Sequence, residues 1–235
     1  MAENTTPKIT DELEPLFSVG AHIAYSKARR HPSAKPFIFG RKEGLDIFDL
    51  SKTKDTLVTA LRFVEELAAS GKTILLVGTK PEARRFIVLA GKTLNLPYVS
   101  GRWIGGTLSN FEEIKKRLAR FTELREAKEN PELLEKYTKR ERLTIYRELA
   151  DLEKRFSGLE YFTKLPDALF VIDSRKESTA VKEAAALHIP VISLSGSDCD
   201  LSRITYPIVA NDTAVKSIAF FVDALISAWK SGKKE

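Results

Sequence analysis

Three short, almost entirely apolar runs of residues limit the folds that this 235-residue chain can adopt. The runs are TILLV, ALFVI and PVISL, at Thr73–Val77, Ala168–Ile172 and Pro190–Leu194. A continuous apolar run of this length is typical of a strand that is covered on both faces. Amphipathic helical patterns precede, separate and follow these runs, over about 51–70, 81–94, 178–187 and 213–229. Because strands that alternate with helices form right-handed βαβ units, the sequence predicts an α/β fold with a parallel sheet.

Capping residues, glycine and proline mark where several of these elements begin and end. We expect Ser51 or Thr53 to cap the first helix and Gly71 to follow its last turn. Pro81 suits the first turn of the next helix. Shorter strands are predicted at 36–39, 45–48, 97–99 and 207–209, the first two forming a β-hairpin through 40–44.

The middle of the chain interrupts this alternation. Apolar residues there step by three and four, which indicates two helices with a narrow coiled-coil seam: Phe111, Ile114, Leu118 and Phe121, then Ile145, Leu149, Leu152, Phe156 and Leu159. Asn130–Pro131 breaks the first helix, and Thr138 with Glu141 forms a capping box for the second. We therefore expect an inserted antiparallel hairpin. Its charged outer faces, with 13 basic and 12 acidic residues over 111–160, fit either a soluble protrusion or a docking surface.

The net charge of the chain is concentrated in one segment. The whole chain has 38 basic and 32 acidic residues, a net charge of +6. Residues 15–42 contain six basic residues and no acidic one, so the remainder, with 32 of each, is formally neutral. Basic groups attract phosphate, and aromatic or guanidinium planes stack on unpaired bases. This segment therefore indicates a polyanionic partner, and a solvated basic loop is the alternative.

The composition excludes several classes of protein. The single cysteine, Cys199, excludes an intramolecular disulfide framework and a thiolate-rich zinc site, and it fits a reducing compartment. A hydrophobic content of 43% argues against a wholly disordered chain. The polar, acidic first residues lack a signal-peptide pattern, and the longest apolar run, 218–229, is shorter than the ~20 residues of a membrane span. We expect a soluble, cytoplasmic protein that does not enter a membrane.

Two glycine-containing turns are candidate ligand contacts. At 77–81 a strand passes through a glycine into a helix, and its backbone N–H groups, with Lys80, Arg84 and Arg85 nearby, form a candidate anion site. No Walker A or G-x-G-x-x-G spacing occurs, so a plain βα turn is favoured over a nucleotide site. The second turn is at 101–107. There Arg102 provides a positive charge next to the indole ring of Trp103, on which a base could stack, although Trp103 equally suits the core.

The acidic turn at Asp198–Cys199–Asp200 follows a predicted strand, where open α/β sheets usually bind ligands. Two carboxylates and a thiol are able to hold a metal ion, but a turn that caps the next segment is the favoured interpretation. The three histidines have no metal-ligand spacing, and no nucleophile has a recognisable base pattern. The sequence therefore gives no support for catalysis.

Several stretches, taken together in chain order, resemble one known family. They are Gly20–His22, Lys35–Gly40, Asp49–Leu50, Lys52–Thr53, Val77–Lys80, Arg102–Phe111, Leu165–Asp173, Ile189–Ile192, Cys199–Asp200 and Asn211–Ala214. The chain resembles the bacterial-type small ribosomal subunit protein S2 family over about 16–229, and RWIGGTLSNF with LPDALFVID is a highly specific combination. It departs from the family pattern at Ala24, Tyr25, His31, Ala210 and the turn Ser195–Asp198.

The resemblance implies a flavodoxin-like parallel sheet with helices on both faces and an inserted antiparallel coiled-coil hairpin. We expect an α/β domain at 16–109 and 161–230, the hairpin at 110–160, and flexible tails at 1–15 and 231–235. The resemblance also implies a non-enzymatic, structural constituent of the small (30S) ribosomal subunit that binds 16S ribosomal RNA near the head–body junction. Its neighbours would be other small-subunit proteins and, in many bacteria, the S1 protein.

The charge pattern and the resemblance together give the residues that we expect to contact RNA. They are Lys27, Arg29, Arg30, Lys35, Arg41, Lys42, Lys80, Arg84, Arg102 and Trp103. We expect no cofactor, no metal site and no catalytic residue. Two other functions fit parts of the sequence: an enzyme that binds a phosphorylated small molecule or nucleotide at 78–80 and 198–200, and a coiled-coil adaptor that acts through 111–160.

Overall fold

The computed structural model describes residues 12–130, 137–160 and 162–233, which form a larger parallel sheet, a smaller antiparallel sheet and the surrounding helices. The strands are β1 Ile23–Ser26, β2 Ile38–Lys42, β3 Leu45–Phe48, β4 Ile74–Val77, β5 Tyr98–Val99, β6 Ala168–Ile172, β7 Val191–Ser195 and β8 Tyr206–Val209. The helices are α1 Glu14–Ser18, α2 Leu50–Ala69, α3 Pro81–Leu94, α4 Phe111–Glu129, α5 Lys139–Phe156, α6 Ser178–Ala186 and α7 Val215–Gly232.

The larger sheet confirms the predicted α/β architecture. Its strands are all parallel and lie in the order β5-β4-β6-β7-β8. Numbered along this sheet alone, that order is 2-1-3-4-5, the order of flavodoxin-like folds. Every residue of β4, β6 and β7 is buried, because helices cover the sheet on both faces. The three apolar runs of the sequence therefore form the three central strands.

Alternate residues of each central strand pack into two separate apolar layers. Ile74 and Leu76 of β4 lie in the layer formed with α2, α3 and α7, which includes Trp229. Leu75 and Val77 lie in the opposite layer, formed with α6 and the base of α4 and α5. This division follows from the two-residue period of a strand.

The signals at element ends are confirmed except for one cap. Gly71 follows α2 with a left-handed φ of +63°, and Pro81 occupies the first turn of α3. The cap of α2 is neither Ser51 nor Thr53 but Asp49, whose carboxylate accepts a hydrogen bond from Ser51 N at 3.1 Å. Thr53 is buried, and its hydroxyl donates to Val209 O at 2.7 Å, which ties α2 to β8.

The smaller sheet has the order β1-β3-β2 and is antiparallel. The predicted hairpin is present, but its first strand runs over Ile38–Lys42 rather than 36–39, because residues 32–37 form a 3-10 turn. The connecting turn is correspondingly short, with positive φ at Glu43 and Gly44. Strand β1 was not predicted, since its four residues have no clear two-residue alternation.

Helices α4 and α5 pack against each other and share one apolar cluster with the sheet. Phe121 and Leu124 of α4 lie in that cluster with Ile145 and Leu149 of α5, and Arg120 Nε contacts Glu148 Oε1 at 3.2 Å. The capping box of Thr138 and Glu141 is confirmed. The connection at 131–136 lies outside the described residues.

The predicted tails lie largely outside the described residues, at 1–11 and 234–235. Of the remaining tail positions, Glu14 and Pro15 belong to α1, and Ser231 and Gly232 belong to α7. Within the described ranges, no helix combines the length and the apolar character needed to cross a membrane.

Candidate nucleic-acid interface

The basic segment, residues 27–42, lies beside the carboxyl-terminal edge of the parallel sheet. Backbone and side-chain hydrogen bonds join it and the end of β1 to the loop after β7. His31 N donates to Ser197 O at 2.8 Å, and Tyr25 N donates to Ser197 Oγ at 3.1 Å. Farther along, Leu201 N donates to Ser33 Oγ at 3.0 Å. The segment is therefore an ordered surface rather than a loose loop.

Two aspartates hold three of the predicted arginines in place. Asp46 is buried in β3 and contacts Arg30 Nη1 at 3.2 Å and Arg41 Nε at 3.4 Å. Asp198 contacts Arg29 Nη2 at 3.1 Å, and the Arg29 guanidinium lies 4.0 Å from the Tyr25 ring centroid. The lack of acidic residues in the segment therefore does not leave its arginines unpaired. The nearby Asp46 was visible in the sequence, but Asp198 is 169 residues from Arg29.

The lysines of the segment are its most available cations. Lys27, Lys35 and Lys42 are exposed, and none of them forms an ion pair with another residue in the described part of the chain. They share the segment with two held arginines that remain about half exposed, Arg29 and Arg41. Solvated cations beside fixed guanidinium groups form a surface that suits a phosphate backbone.

Lys80, which the sequence analysis grouped with the RNA contacts, is largely enclosed and lies apart from this surface. Its Nζ lies 2.7 Å from Asp173 Oδ2 and 3.1 Å from Asp212 Oδ2, and only 12% of the side chain is exposed. Burial alone would lower the pKa of Lys80, but the charges of Asp212 and Asp173 outweigh it and raise that pKa. Lys80 is thus a permanently charged structural cation. Arg84, one turn further on, is exposed, and its Nε donates to Thr79 O at 3.0 Å.

Trp103 is also buried, whereas a ring that stacks on RNA bases would have to be exposed. The side chain is only 8% exposed and packs in the layer that contains Val99 and Leu108. Its Nε1 donates to Glu183 Oε1 at 3.1 Å. The indole plane is therefore a core element, the alternative that its sequence context left open, whereas Arg102 beside it is exposed.

The acidic turn at 198–200 does not act as one unit. Asp198 holds Arg29, whereas Asp200 Oδ1 accepts a hydrogen bond from Ser202 N at 2.9 Å, which is the predicted capping role. Among the residues that the structure describes, potential metal-binding atoms lie close together at Asp173, Cys199 and Asp212, all within 4.8 Å of one another. The ammonium group of Lys80 contacts both carboxylates and offsets one of their two negative charges, and burial raises the pKa of the Cys199 thiol to about 12. This cluster is thus a buried ion-pair network beside a neutral thiol.

The fold and this surface define a class: an α/β protein with a flavodoxin-like strand order and a basic, ordered patch at the carboxyl-terminal edge of its sheet. The model of the family "Ribosomal protein S2" matches residues 16–232. This chain belongs to the ribosomal protein S2 family.

Similar proteins from several bacteria support this assignment. The chain is 39% identical to small ribosomal subunit protein uS2 of Thermus thermophilus over 92% of this chain and 86% of that protein. It is 40% identical to small ribosomal subunit protein uS2 of Dictyoglomus thermophilum, over 94% of this chain and 89% of that protein. It is 37% identical to the protein of the same name from Coprothermobacter proteolyticus, over 94% of this chain and 82% of that protein.

Proposed function

We propose that this chain is a structural constituent of the small ribosomal subunit and binds 16S ribosomal RNA through the basic segment. The observation that carries the proposal is its family membership over 16–232, and the relatives are named as small-subunit proteins. The exposed lysines at 27, 35 and 42 and the held arginines at 29 and 41 supply the surface that neutralises phosphates. Arg84 and Arg102 extend it, while Lys80 and Trp103 support it from the interior.

The role is non-enzymatic and belongs to the ribosome in the cytoplasm. The place at which a doubly wound enzyme would bind a nucleotide, beside β4 and β6, is occupied by Lys80 and its two aspartates. The neighbouring cavity, lined by Tyr25, Ser197 and Asp212, has a volume of about 40 Å³. Small-molecule sites usually measure several hundred Å³, so this cavity argues against the phosphate-binding enzyme.

The finer architecture is part of the same proposal. Residues 16–109 and 161–230 form the α/β domain, and 110–160 form an antiparallel coiled-coil hairpin that projects from it. Leu143 and Tyr146 of α5 are exposed, and apolar side chains at such positions favour contact with a protein. We assign to the hairpin a supporting role in contacting other small-subunit proteins, S1 among them, and to the basic segment the RNA contact.

Sedimentation of cells that express the tagged chain tests the proposal. We expect the chain to migrate with the small subunit in a sucrose gradient at low salt and to dissociate progressively at high salt, because phosphate contacts release counterions. A chain that stays in the soluble fractions at both salt concentrations would contradict the proposal. Binding of purified chain to 16S ribosomal RNA in vitro, measured by filter retention, gives the corresponding affinity.

A further inference from the structure

Arg175, which no sequence motif singled out, shares a buried carboxylate with Arg29. It lies in the loop between β6 and α6, and its Nη1 is 2.7 Å from Asp198 Oδ2. Arg29 Nη2 is 3.1 Å from the same oxygen. The side chain of Asp198 is 6% exposed, whereas those of Arg29 and Arg175 are 54% and 59% exposed. Two guanidinium groups from distant parts of the chain therefore meet on one carboxylate and remain open to solvent.

This arrangement leaves a net positive charge in a fixed geometry. One carboxylate neutralises one of the two guanidinium groups, and each guanidinium has several N–H donors in a planar fork. The contacts to Asp198 use one nitrogen of each group, so further donors remain for a ligand. The Tyr25 ring beneath the Arg29 guanidinium restricts that side chain further. A planar donor array held in this way suits bidentate recognition of a phosphate and loses little side-chain entropy on binding.

The charges around the pair favour an anion. Lys27 and Lys176 are exposed neighbours in sequence of Arg29 and Arg175. Two other acids of this sheet edge, Asp173 and Asp212, already contact Lys80. Asp200 is exposed, and its Oδ1 lies 4.0 Å from His31 Nδ1.

We propose that Arg175 and Arg29 together bind a phosphate of the RNA backbone, and that Asp198 is the positioning residue that holds them. The proposal rests on the RNA-binding function above and adds to it a residue from the sheet edge, outside the basic segment. The phosphate contact would then combine Arg29 of the basic segment with Arg175 of the loop after β6.

Replacing Asp198 shows whether this residue acts by positioning the two arginines or only through its own negative charge. Asp198→Asn removes a negative charge beside the RNA surface, so long-range electrostatics alone predicts tighter binding. If Asp198 positions the pair, the affinity for 16S ribosomal RNA falls instead, by about 5-fold or more at about 0.1 M salt. The matched control is Asp223→Asn, an exposed aspartate on α7 that gives the same charge change. We expect its affinity to stay within about 2-fold of wild type.

Replacing Arg175 tests the contact itself, at a side chain that is exposed and contributes little to the core. Arg175→Ala is expected to weaken binding by about 10-fold and to reduce the slope of log K against log salt by about 0.7–0.9. Arg175→Lys should keep that slope but not the affinity, since lysine lacks the planar fork. Circular dichroism and urea unfolding of each variant check that the fold is intact.

The outcomes distinguish the two proposals. If wild-type chain does not bind 16S ribosomal RNA, the proposed function fails. If wild type binds but Arg175→Ala keeps both its affinity and its salt slope, the Arg175 contact is overturned. Tighter binding by Asp198→Asn would overturn the positioning role.

Discussion

At the scale of single residues, the partner of each charged side chain decides what that side chain does. Lys80 and Arg29 both looked like RNA contacts in the sequence, yet Lys80 is enclosed by Asp173 and Asp212, while Arg29 is held at the surface by Asp198. Tyr25 and the turn at 195–198, where the chain departs from the family pattern, lie together through the Tyr25 N–Ser197 Oγ hydrogen bond. Acidic side chains therefore decide the positions of the basic side chains on this surface.

The Lys80 network gives a prediction about stability and pH. Burial raises the pKa of Asp212 to about 6, although Lys80 opposes this rise. In Lys80→Met this carboxyl group has no cation beside it, so its folded-state pKa rises further above the unfolded value. A carboxyl group of this kind contributes stability at low pH and loses it as the pH rises through the folded-state pKa. We expect a loss of about 3 kcal/mol in the free energy of unfolding at pH 8 and a clearly smaller loss at pH 5.

Urea unfolding of wild type and Lys80→Met at both pH values measures this difference. Lys92→Met is the matched control, because Lys92 is an exposed lysine on α3. It should change the free energy of unfolding by no more than about 0.5 kcal/mol at either pH. Equal losses at pH 5 and pH 8 in Lys80→Met would show that Asp212 does not take up a proton.

At the scale of elements, one glutamate on α6 organises the most specific motif of the sequence. The carboxylate of Glu183 accepts hydrogen bonds from Trp103 Nε1 and from the backbone N–H groups of Gly106, Leu108 and Ser109, at 2.8–3.2 Å. Burial opposes ionisation, but the hydrogen bonds, led by those from Gly106 and Leu108, lower the pKa of Glu183. Gly106 has a φ of +90°, which a side chain would strain. The motif is thus a loop that is tied to α6.

This contact predicts the behaviour of Glu183→Gln. The amide keeps the size of the side chain but replaces one acceptor oxygen with a donor, so loop N–H groups lose their partner. We expect a loss of about 1–2 kcal/mol in the free energy of unfolding and faster hydrogen exchange at Gly106 and Leu108. Mass-spectrometric exchange of the peptide that covers 101–110 measures the effect. Glu82→Gln, at an exposed glutamate in the first turn of α3, should leave that peptide unchanged.

At the scale of the whole molecule, the basic surface and the paired helices α4 and α5 occupy different parts of the structure. The basic segment is joined by hydrogen bonds to the loop after β7. Helices α4 and α5 instead pack on each other and on the apolar layer that contains Leu75, Val77 and α6. The excess of basic over acidic residues comes from 15–42, whereas the segment 111–160 is nearly neutral. Loss of the outer parts of α4 and α5 should therefore leave RNA affinity almost intact.

Replacing 120–150 by a short glycine-rich linker tests this separation. The residues retained at the base, such as Phe156 and Leu159, keep their places in the core. We expect binding to 16S ribosomal RNA within about 2-fold of wild type, because distant sites act independently. An adaptor that acts only through 111–160 would instead lose all partner binding, so RNA affinity that the shortened chain retains would contradict the adaptor function.

The basic segment gives the complementary prediction. Changing Lys27, Lys35 and Lys42 to Ser should weaken RNA binding and flatten the log–log salt slope by about 2–3, since each neutralised phosphate contributes about 0.7–0.9 to that slope. The control changes three exposed lysines at the opposite, amino-terminal edge of the parallel sheet: Lys72, Lys92 and Lys230. Equal salt slopes for the two triple variants would show that the lysines of the basic segment do not contact RNA phosphates.

The parallel sheet, the positions of most helices and the family all follow from the amino-acid sequence alone. Almost entirely apolar runs require cover on both faces, and local signals such as Gly71, Pro81 and the Thr138 capping box depend only on neighbouring residues. The RWIGGTLSNF and LPDALFVID stretches were sufficient for the resemblance that the family match confirmed.

Which of the candidate residues face solvent depends on the tertiary structure. Lys80 meets acids 93 and 132 positions away, Trp103 meets Glu183 after 80 positions, and Arg29 shares Asp198 with Arg175 across 169 positions. Such contacts leave no periodic trace in the sequence, since the chain must fold before the partners meet. Burial and pairing then set both the charge state and the accessibility of a side chain, and these are the properties on which a binding surface depends.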